Sequence, residues 1–247
     1  MQTQLREAII LAGGLGTRLR SITEDIPKPM AKVGTRPFLA YLLDYLEQHS
    51  AIQKVILSVG YKHQTIQDYF QNKYKSLEIS YSIEDAPLGT GGAISQSLSL
   101  AQDSNILILN GDTFFAINLQ KFQQQHFQHQ SQLSLALKSM SNFDRYGTVQ
   151  RQKDNTITKF IEKQKCSSGT INAGLYIINK NLIQKFPKQP RFSFEKDFME
   201  PHLAEIAPKG FLFEGYFIDI GIPQDYHRAN NELPKLFQDG TTSLFSD

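Results

Sequence analysis

One cysteine, Cys166, is all that 247 residues contain, so the chain cannot close a disulfide on itself or assemble a cysteine-based zinc site. A lone thiol fits a reducing compartment. No apolar run approaches the roughly 20 residues that a membrane span requires. The N-terminus reaches apolar sequence by Ala8 with no basic region, long hydrophobic stretch or small-residue cleavage site before it. The expectation is a cytoplasmic protein. Runs of lysine or arginine are also missing and the net charge is only +2, which excludes the basic stripe of a nucleic-acid binder and makes any phosphate recognition local. No segment repeats and no Gly/Ser linker divides the chain, so one domain over residues 1–247 is expected.

What is present is a globular composition, 40% hydrophobic and 20% charged. Short, β-branched, nearly continuous apolar runs occur at EAIILA (Glu7 to Ala12), KVILSVG (Lys54 to Gly60) and NILILNGD (Asn105 to Asp112), with ISYSI (Ile79 to Ile83) as an alternating member. Apolar residues at every position suit central parallel strands covered on both faces. Between them PFLAYLLDYLEQH (Pro37 to His49) carries Leu39, Leu42, Leu43 and Leu46 at helical spacing. Alternating strands and helices predict an α/β fold, a mainly parallel sheet built from right-handed crossovers with ligands at the carboxyl ends of its strands. LQKFQQQHFQHQSQ (Leu119 to Gln132) reads as a helix with a polar, glutamine-rich outer face. There His126 and His129 are surface residues rather than metal ligands. The later half becomes β-rich, with a hairpin around Asp154-Asn155. Helices are expected at FEKDFMEPHLAEIA (Phe194 to Ala207) and PQDYHRANNELPKLF (Pro223 to Phe237).

The first chemical signal is LAGGLGTRLRSITEDIPKPM (Leu11 to Met30), directly after a strand. Gly13, Gly14 and Gly16 let backbone N–H groups approach an anion without side chains in the way. A Walker A loop needs a Gly-Lys-Ser/Thr ending, and Gly16-Thr17-Arg18 is not one. A dinucleotide fingerprint needs a third glycine where Leu19 stands. What remains is a glycine turn with two cations: Arg18 offers a fork to phosphate oxygens, and Lys28, restrained by Pro27 and Pro29, offers a point charge. That pair suits a polyphosphate whose leaving group gains negative charge.

Three further elements carry chemistry. In APLGTGGAI (Ala86 to Ile94) the glycines Gly89 to Gly92 form either a wall for a nucleobase edge ahead of the next helix or simply a tight helix start. In LNGD, Asp112 ends a buried strand, where a carboxylate wants a cation such as Mg²⁺ on substrate phosphates; a helix cap is the plainer alternative. In FIDIG, Asp219 has the same local setting, and the two carboxylates would hold magnesium if the fold brings them together.

These elements, with FIEK, NAGLY and FIDIGIPQDY, run in order over nearly the whole chain and resemble the sugar-nucleotide pyrophosphorylases, the sugar-1-phosphate nucleotidyltransferases. The resemblance implies a Rossmann-like mixed sheet flanked by helices, with a nucleotide-binding half over about residues 1–115 and a β-rich sugar-phosphate-binding half over about residues 116–240. It also implies in-line, Mg²⁺-assisted attack of a sugar 1-phosphate on the α-phosphorus of an NTP, releasing pyrophosphate. Carried over, Leu11, Ala12, Gly13, Gly14, Gly16 and Thr17 would hold the nucleotide, Arg18 and Lys28 the triphosphate, and Gly89 and Thr90 the base. Asp112 and Asp219 would ligate magnesium. Glu162 would take sugar hydroxyls and Lys163 the sugar phosphate, with Tyr146, Gly147, Asn172 and Gly174 completing the pocket. The family's E-K element is commonly followed by proline, and Gln164 stands there instead, which loosens that loop. The chain stops soon after FIDIGIPQDY, as in compact family members. Among these, YSIEDAPLGTGGAI, NAGLYIIN and SFEKDF most resemble the D-glycero-α-D-manno-heptose 1-phosphate guanylyltransferases, implying GTP. Hexose or N-acetylmuramate 1-phosphate enzymes using GTP, dTTP or UTP, and a silent sugar-nucleotide-binding subunit, are the alternatives. Family members often assemble as homo-oligomers.

Overall fold

The computed structural model describes residues 4–14, 26–186 and 189–238. Gly16, Thr17 and Arg18 lie outside these described residues. The strands are β1 (Glu7–Leu11), β2 (Lys32–Val33), β3 (Arg36–Pro37), β4 (Lys54–Val59), β5 (Lys73–Tyr74), β6 (Leu77–Ile83), β7 (Asn105–Asn110), β8 (Thr113–Phe115), β9 (Leu133–Phe143), β10 (Thr148–Arg151), β11 (Ile157–Ile161), β12 (Cys166–Asn179), β13 (Lys209–Phe213) and β14 (Phe217–Asp219). The helices are α1 (Phe38–His49), α2 (His63–Phe70), α3 (Gly89–Leu98), α4 (Leu119–Gln128), α5 (Leu203–Ile206) and α6 (Pro223–Gln238).

Ten strands form one mixed sheet among the described residues, in the order β11-β10-β12-β7-β1-β4-β6-β5, with β9 paired to β12 and β13 to β9. The central strands β7, β1, β4 and β6 are parallel. Their apolar runs are continuous because both faces are covered. Ala8, Ile10, Val55, Leu57, Leu107 and Leu109 join the core cluster that contains α1, whereas Ile9, Ile56, Ile106 and Ile108 join the one that contains Ile94 and Leu98 of α3. Alternation along each strand thus feeds two cores, as expected for a sheet sandwiched by helices. No helix among the described residues is long and apolar enough to cross a membrane.

Two local expectations are corrected. The segment from Phe194 is not one helix: a π-helical turn spans Phe194–Met199, and α5 begins only at Leu203. The wider turn sends Phe194, Phe198 and Met199 all into the core, and Pro201, having no N–H, interrupts the ladder. Helix α4 stops at Gln128, and His126 is buried, with its Nδ1 2.8 Å from the Ser134 hydroxyl. Burial pushes that imidazole down to about 4, so it is neutral at physiological pH. Of the two alternatives for the glycines of APLGTGGAI, the structure shows the tight helix start: Gly89 is the first residue of α3.

Candidate active site

The parallel strands end on a common rim, and consecutive turns along it carry the chemistry. β1 runs into Gly13 and Gly14, β4 into Gly60, β6 into Glu84, and β7 into Asn110-Gly111-Asp112. Gly111 donates its N–H to the Leu11 carbonyl at 2.9 Å. A Cβ at Gly111 would sit 2.5 Å from that same oxygen, so only glycine lets the β7 turn lie against the β1 turn. The chain then enters β8, which pairs antiparallel with β14 and sets Thr113 opposite Asp219. Two carboxylates separated by a hundred residues of sequence are thereby brought to one place.

Lys28 lies between them. A short 3-10 turn over Lys28–Met30, entered through Pro27, buries the lysine. Its Nζ is 2.6 Å from Asp112 Oδ2 and 3.9 Å from Asp219 Oδ1. Burial raises the Asp219 carboxyl above its ordinary value, with the charge of Asp112 adding to this and Lys28 opposing it. Arg145 approaches Asp219 Oδ2 from the other side at 3.6 Å while pairing with Asp225.

Two cavities meet at this point. The larger, about 450 Å³, is lined by Leu11, Gly13, Gly14, Lys28, Gly89 and Thr90, and the smaller, about 320 Å³, by Tyr146, Gly147, Glu162, Lys163, Asn172 and Gly174. Asn110 and Asp112 line both. Every described residue assigned from sequence to the nucleotide reaches the first cavity except Ala12, and all six assigned to the sugar phosphate reach the second. The Ala12 side chain is buried with Ala8 and Ile10, and its N–H bonds the Ser58 carbonyl at 2.7 Å, stitching β1 to β4.

In the smaller cavity Asn172 and Gly174 sit where the pairing of β12 with β9 shifts register, between Asn172 and Tyr176. Gly174 has φ +73°, and a Cβ there would lie 2.5 Å from Asn110 Nδ2. The bulge turns Asn172 toward the π-helical turn, where its amide donates to Glu195 Oε1 at 2.9 Å; the Tyr176 hydroxyl donates to the same oxygen at 2.9 Å. Burial, then the charge of Glu195, pushes the Tyr176 hydroxyl far up, so it stays a donor. At the cavity mouth Lys196 donates to Glu162 Oε1 at 3.0 Å and holds that carboxyl below its ordinary value.

Sequence reasoning passed over Glu195, Lys196, Glu84 and Arg191, all of which line one cavity or the other. Glu195 and Lys196 stand in SFEKDF and Glu84 in YSIEDAPLGTGGAI, so the stretches were visible but the charged positions within them were not singled out. The glycines Gly89, Gly91 and Gly92 have a packing reason. The segment Pro190–Phe194 lies across them, and a Cβ on Gly91 would fall 2.2 Å from the Phe192 ring. The Thr90 hydroxyl accepts the Phe194 N–H at 2.9 Å.

Among the described residues no group of three or more histidine, cysteine or acidic side chains converges as a metal site. Asp112 lines both cavities and Asp219 the smaller one, so their carboxylates offer hard oxygens near the seam. Hard oxygens of this kind suit a divalent cation, whose remaining positions would go to water and substrate phosphate oxygens.

Comparison with known proteins agrees with this architecture. Residues 7–235 match the nucleotidyl transferase family. The chain is 48% identical over 227 residues to the D-glycero-alpha-D-manno-heptose 1-phosphate guanylyltransferase of Aneurinibacillus thermoaerophilus, covering 92% of this chain and 98% of the relative. It is 44% identical over 221 residues to the enzyme of the same name from Campylobacter jejuni, covering 90% and 97%. The crystal structure of HddC from Yersinia pseudotuberculosis complexed with GMP-PN superposes with a TM-score of 0.82 at 38% identity, over 93% of this chain and 100% of that one.

Proposed function

The chain belongs to the nucleotidyl transferase family, and on that premise we propose that it transfers a guanylyl group from GTP to D-glycero-α-D-manno-heptose 1-phosphate, releasing pyrophosphate. The observation that carries the reaction type is the pair of cavities sharing Asn110 and Asp112. A two-substrate transfer needs separate pockets whose reacting ends touch. The choices of guanine and of heptose follow the relatives, and one feature of the chain supports each. Glu84, at the β6 end of the larger cavity, offers a carboxylate to the N1–H and N2–H₂ donors of guanine while its other oxygen accepts the Leu88 N–H at 3.0 Å. The smaller cavity, lined by Asn172, Glu195, Lys196 and Glu162, is rich in partners for a polyol.

In this reading residues 1–115 serve the nucleotide and 116–240 the sugar phosphate within one domain, acting in the cytoplasm. Gly13 and Gly14, at the wall of the larger cavity, would take the triphosphate together with Gly16, Thr17 and Arg18, and Gly89 and Thr90 would take the base. Tyr146, Gly147, Glu162, Asn172 and Gly174 orient the sugar, and Lys163 holds its phosphate. One phosphate oxygen of the sugar attacks the α-phosphorus, the bond to the β-phosphate breaks, and its electron pair leaves with pyrophosphate. Lys28 follows the charge that accumulates on the bridging oxygen. A magnesium ion held by Asp112 and Asp219 would supply charge neutralisation at the α-phosphate. No covalent nucleophile is needed.

The test is a matrix of NTPs against sugar 1-phosphates with Mg²⁺, read as pyrophosphate release. Release is expected with GTP and the heptose 1-phosphate. A better hexose or another base would replace the substrate assignment, and silence across the whole matrix would favour a binding subunit. Within the same assay Lys163→Ala should raise KM for the sugar 1-phosphate about tenfold or more while KM for GTP stays put, the scale of one charge-assisted contact. An unchanged sugar KM would reassign that lysine.

A further inference from the structure

Among the described residues two line both cavities, Asp112 and Asn110. A cation accounts for Asp112; nothing yet accounts for Asn110. Its place in the strand is not what packing alone would select. Ile106 and Ile108 point from β7 into the core that contains Ile94 and Leu98 of α3, and alternation puts Asn110 on the same face two residues further on. A third apolar residue would have continued that core. Instead a half-buried carboxamide stands at the rim, and it makes no hydrogen bond with another described residue.

The neighbouring strand leaves room for it. Leu175 of β12 pairs with Leu109, so the next residue, Gly174, comes alongside Asn110. A Cβ on Gly174 would lie 2.5 Å from the Asn110 amide nitrogen and 3.0 Å from its Cγ. Gly174 thus keeps clear the space that this side chain occupies. Because Gly174 lines the smaller cavity and not the larger, the Asn110 amide stands on the sugar-phosphate side of the seam.

We infer that Asn110 is a catalytic residue whose amide N–H donates to the attacking phosphate of the sugar 1-phosphate and holds it against the α-phosphorus. The inference rests on the proposed transfer. Where the cavities join, the parts of the two substrates that meet are phosphates, whose oxygens accept hydrogen bonds. A neutral donor suits that place: it orients one anion beside another without displacing the cation, as a lysine would, and without repelling the phosphates, as a carboxylate would. A donor fixed on a packed strand is also preorganised, so its bond is strongest in the geometry of attack.

Asn110→Leu and Asn110→Asp, compared with the wild type in pyrophosphate release and in thermal melts, separate a donor from an acceptor. Both keep the branched shape and break no hydrogen bond to a described residue, so both should melt close to the wild type. If leucine crowds Gly174 and melts low, Asn110→Ala takes its place in the comparison. Asn110→Leu should lower kcat/KM for the sugar 1-phosphate about ten- to a hundredfold, the loss of one hydrogen bond to a charged group. Calorimetric binding of GTP alone should not change. Asn110→Asp should fall further still, because its carboxylate opposes the phosphate. An aspartate more active than leucine would mean that the side chain accepts from a sugar hydroxyl, and would overturn the inference. So would weakened GTP binding by Asn110→Leu, which would put the amide on the nucleotide, or turnover of that variant near the wild-type rate. A wild-type chain that releases pyrophosphate with no pair of substrates would instead remove the transfer on which the inference rests.

Discussion

Asp112→Asn should lower turnover about a hundred- to a thousandfold and leave the fold in place. The substitution keeps the shape of the side chain and removes one negative charge from the seam of the two cavities. There a phosphorus centre must accept an incoming oxygen while another leaves, and in the proposed role Asp112 would hold the cation that neutralises the developing charge; losing one such electrostatic stabiliser costs about that much. The fold survives because Lys28 retains Asp219, and the backbone bond from the Ile220 N–H to the Asp112 carbonyl at 2.9 Å does not involve the side chain. Asp219 is also relieved of the neighbouring charge that helps to raise its carboxyl. The melting temperature should therefore hold or rise slightly. The two readouts are pyrophosphate release with saturating substrates and a thermal melt; turnover near that of the wild type would remove Asp112 from the chemistry.

Why Asp112 could be singled out from sequence, and Arg191 could not, has a physical basis. The run NILILNGD signals its own geometry, because four apolar residues in succession, bounded by Asn110-Gly111, suit a short strand with both faces covered, and its carboxyl end is then a rim position. The same logic located Asp219 in FIDIG. Their meeting is another matter. It depends on three cross-strand pairs between β8 and β14, a contact across a hundred residues that no local pattern encodes. The glycines of PLGTGGA were legible as unusual but not as to cause, since the cause is the strap of Pro190–Phe194, whose partners are backbone atoms of a distant helix turn. The π-helical turn at Phe194 misled for a similar reason. Helical spacing and core burial both fit the residues, and only the i+5 bond from the Glu200 N–H to the Glu195 carbonyl separates the two geometries. His126 was placed on a polar face because its neighbours are glutamines, whereas the Ser134 hydroxyl that accommodates it lies on the next strand. Side chains that contact backbone or distant strands leave little trace in local sequence.

Lys28→Met should reduce turnover by a factor comparable with Asp112→Asn, but unlike that change it should destabilise the protein. Methionine fills the lysine's space and removes the cation that sits 2.6 Å from Asp112 and 3.9 Å from Asp219. Breaking a fully buried pair costs about 3–5 kcal/mol because a charge is stranded. Here Asp112 is 38% exposed and Asp219 20% exposed, so water takes up part of that cost and about 1–3 kcal/mol is expected. Two carboxylates left facing each other are a better divalent-ion site than two carboxylates already holding an ammonium. Added Mg²⁺ should therefore raise the melting temperature of Lys28→Met more than that of the wild type, with no nucleotide present. Lys28→Met combined with Asp219→Asn should lose both the destabilisation and most of the response to Mg²⁺, because the second substitution removes the repulsion and one ligand together. If Lys28→Met melts like the wild type, responds no more strongly to Mg²⁺ and still turns over, the lysine neither stabilises the carboxylate pair nor serves the chemistry. The cation at the leaving group would then have to come from elsewhere in the glycine turn.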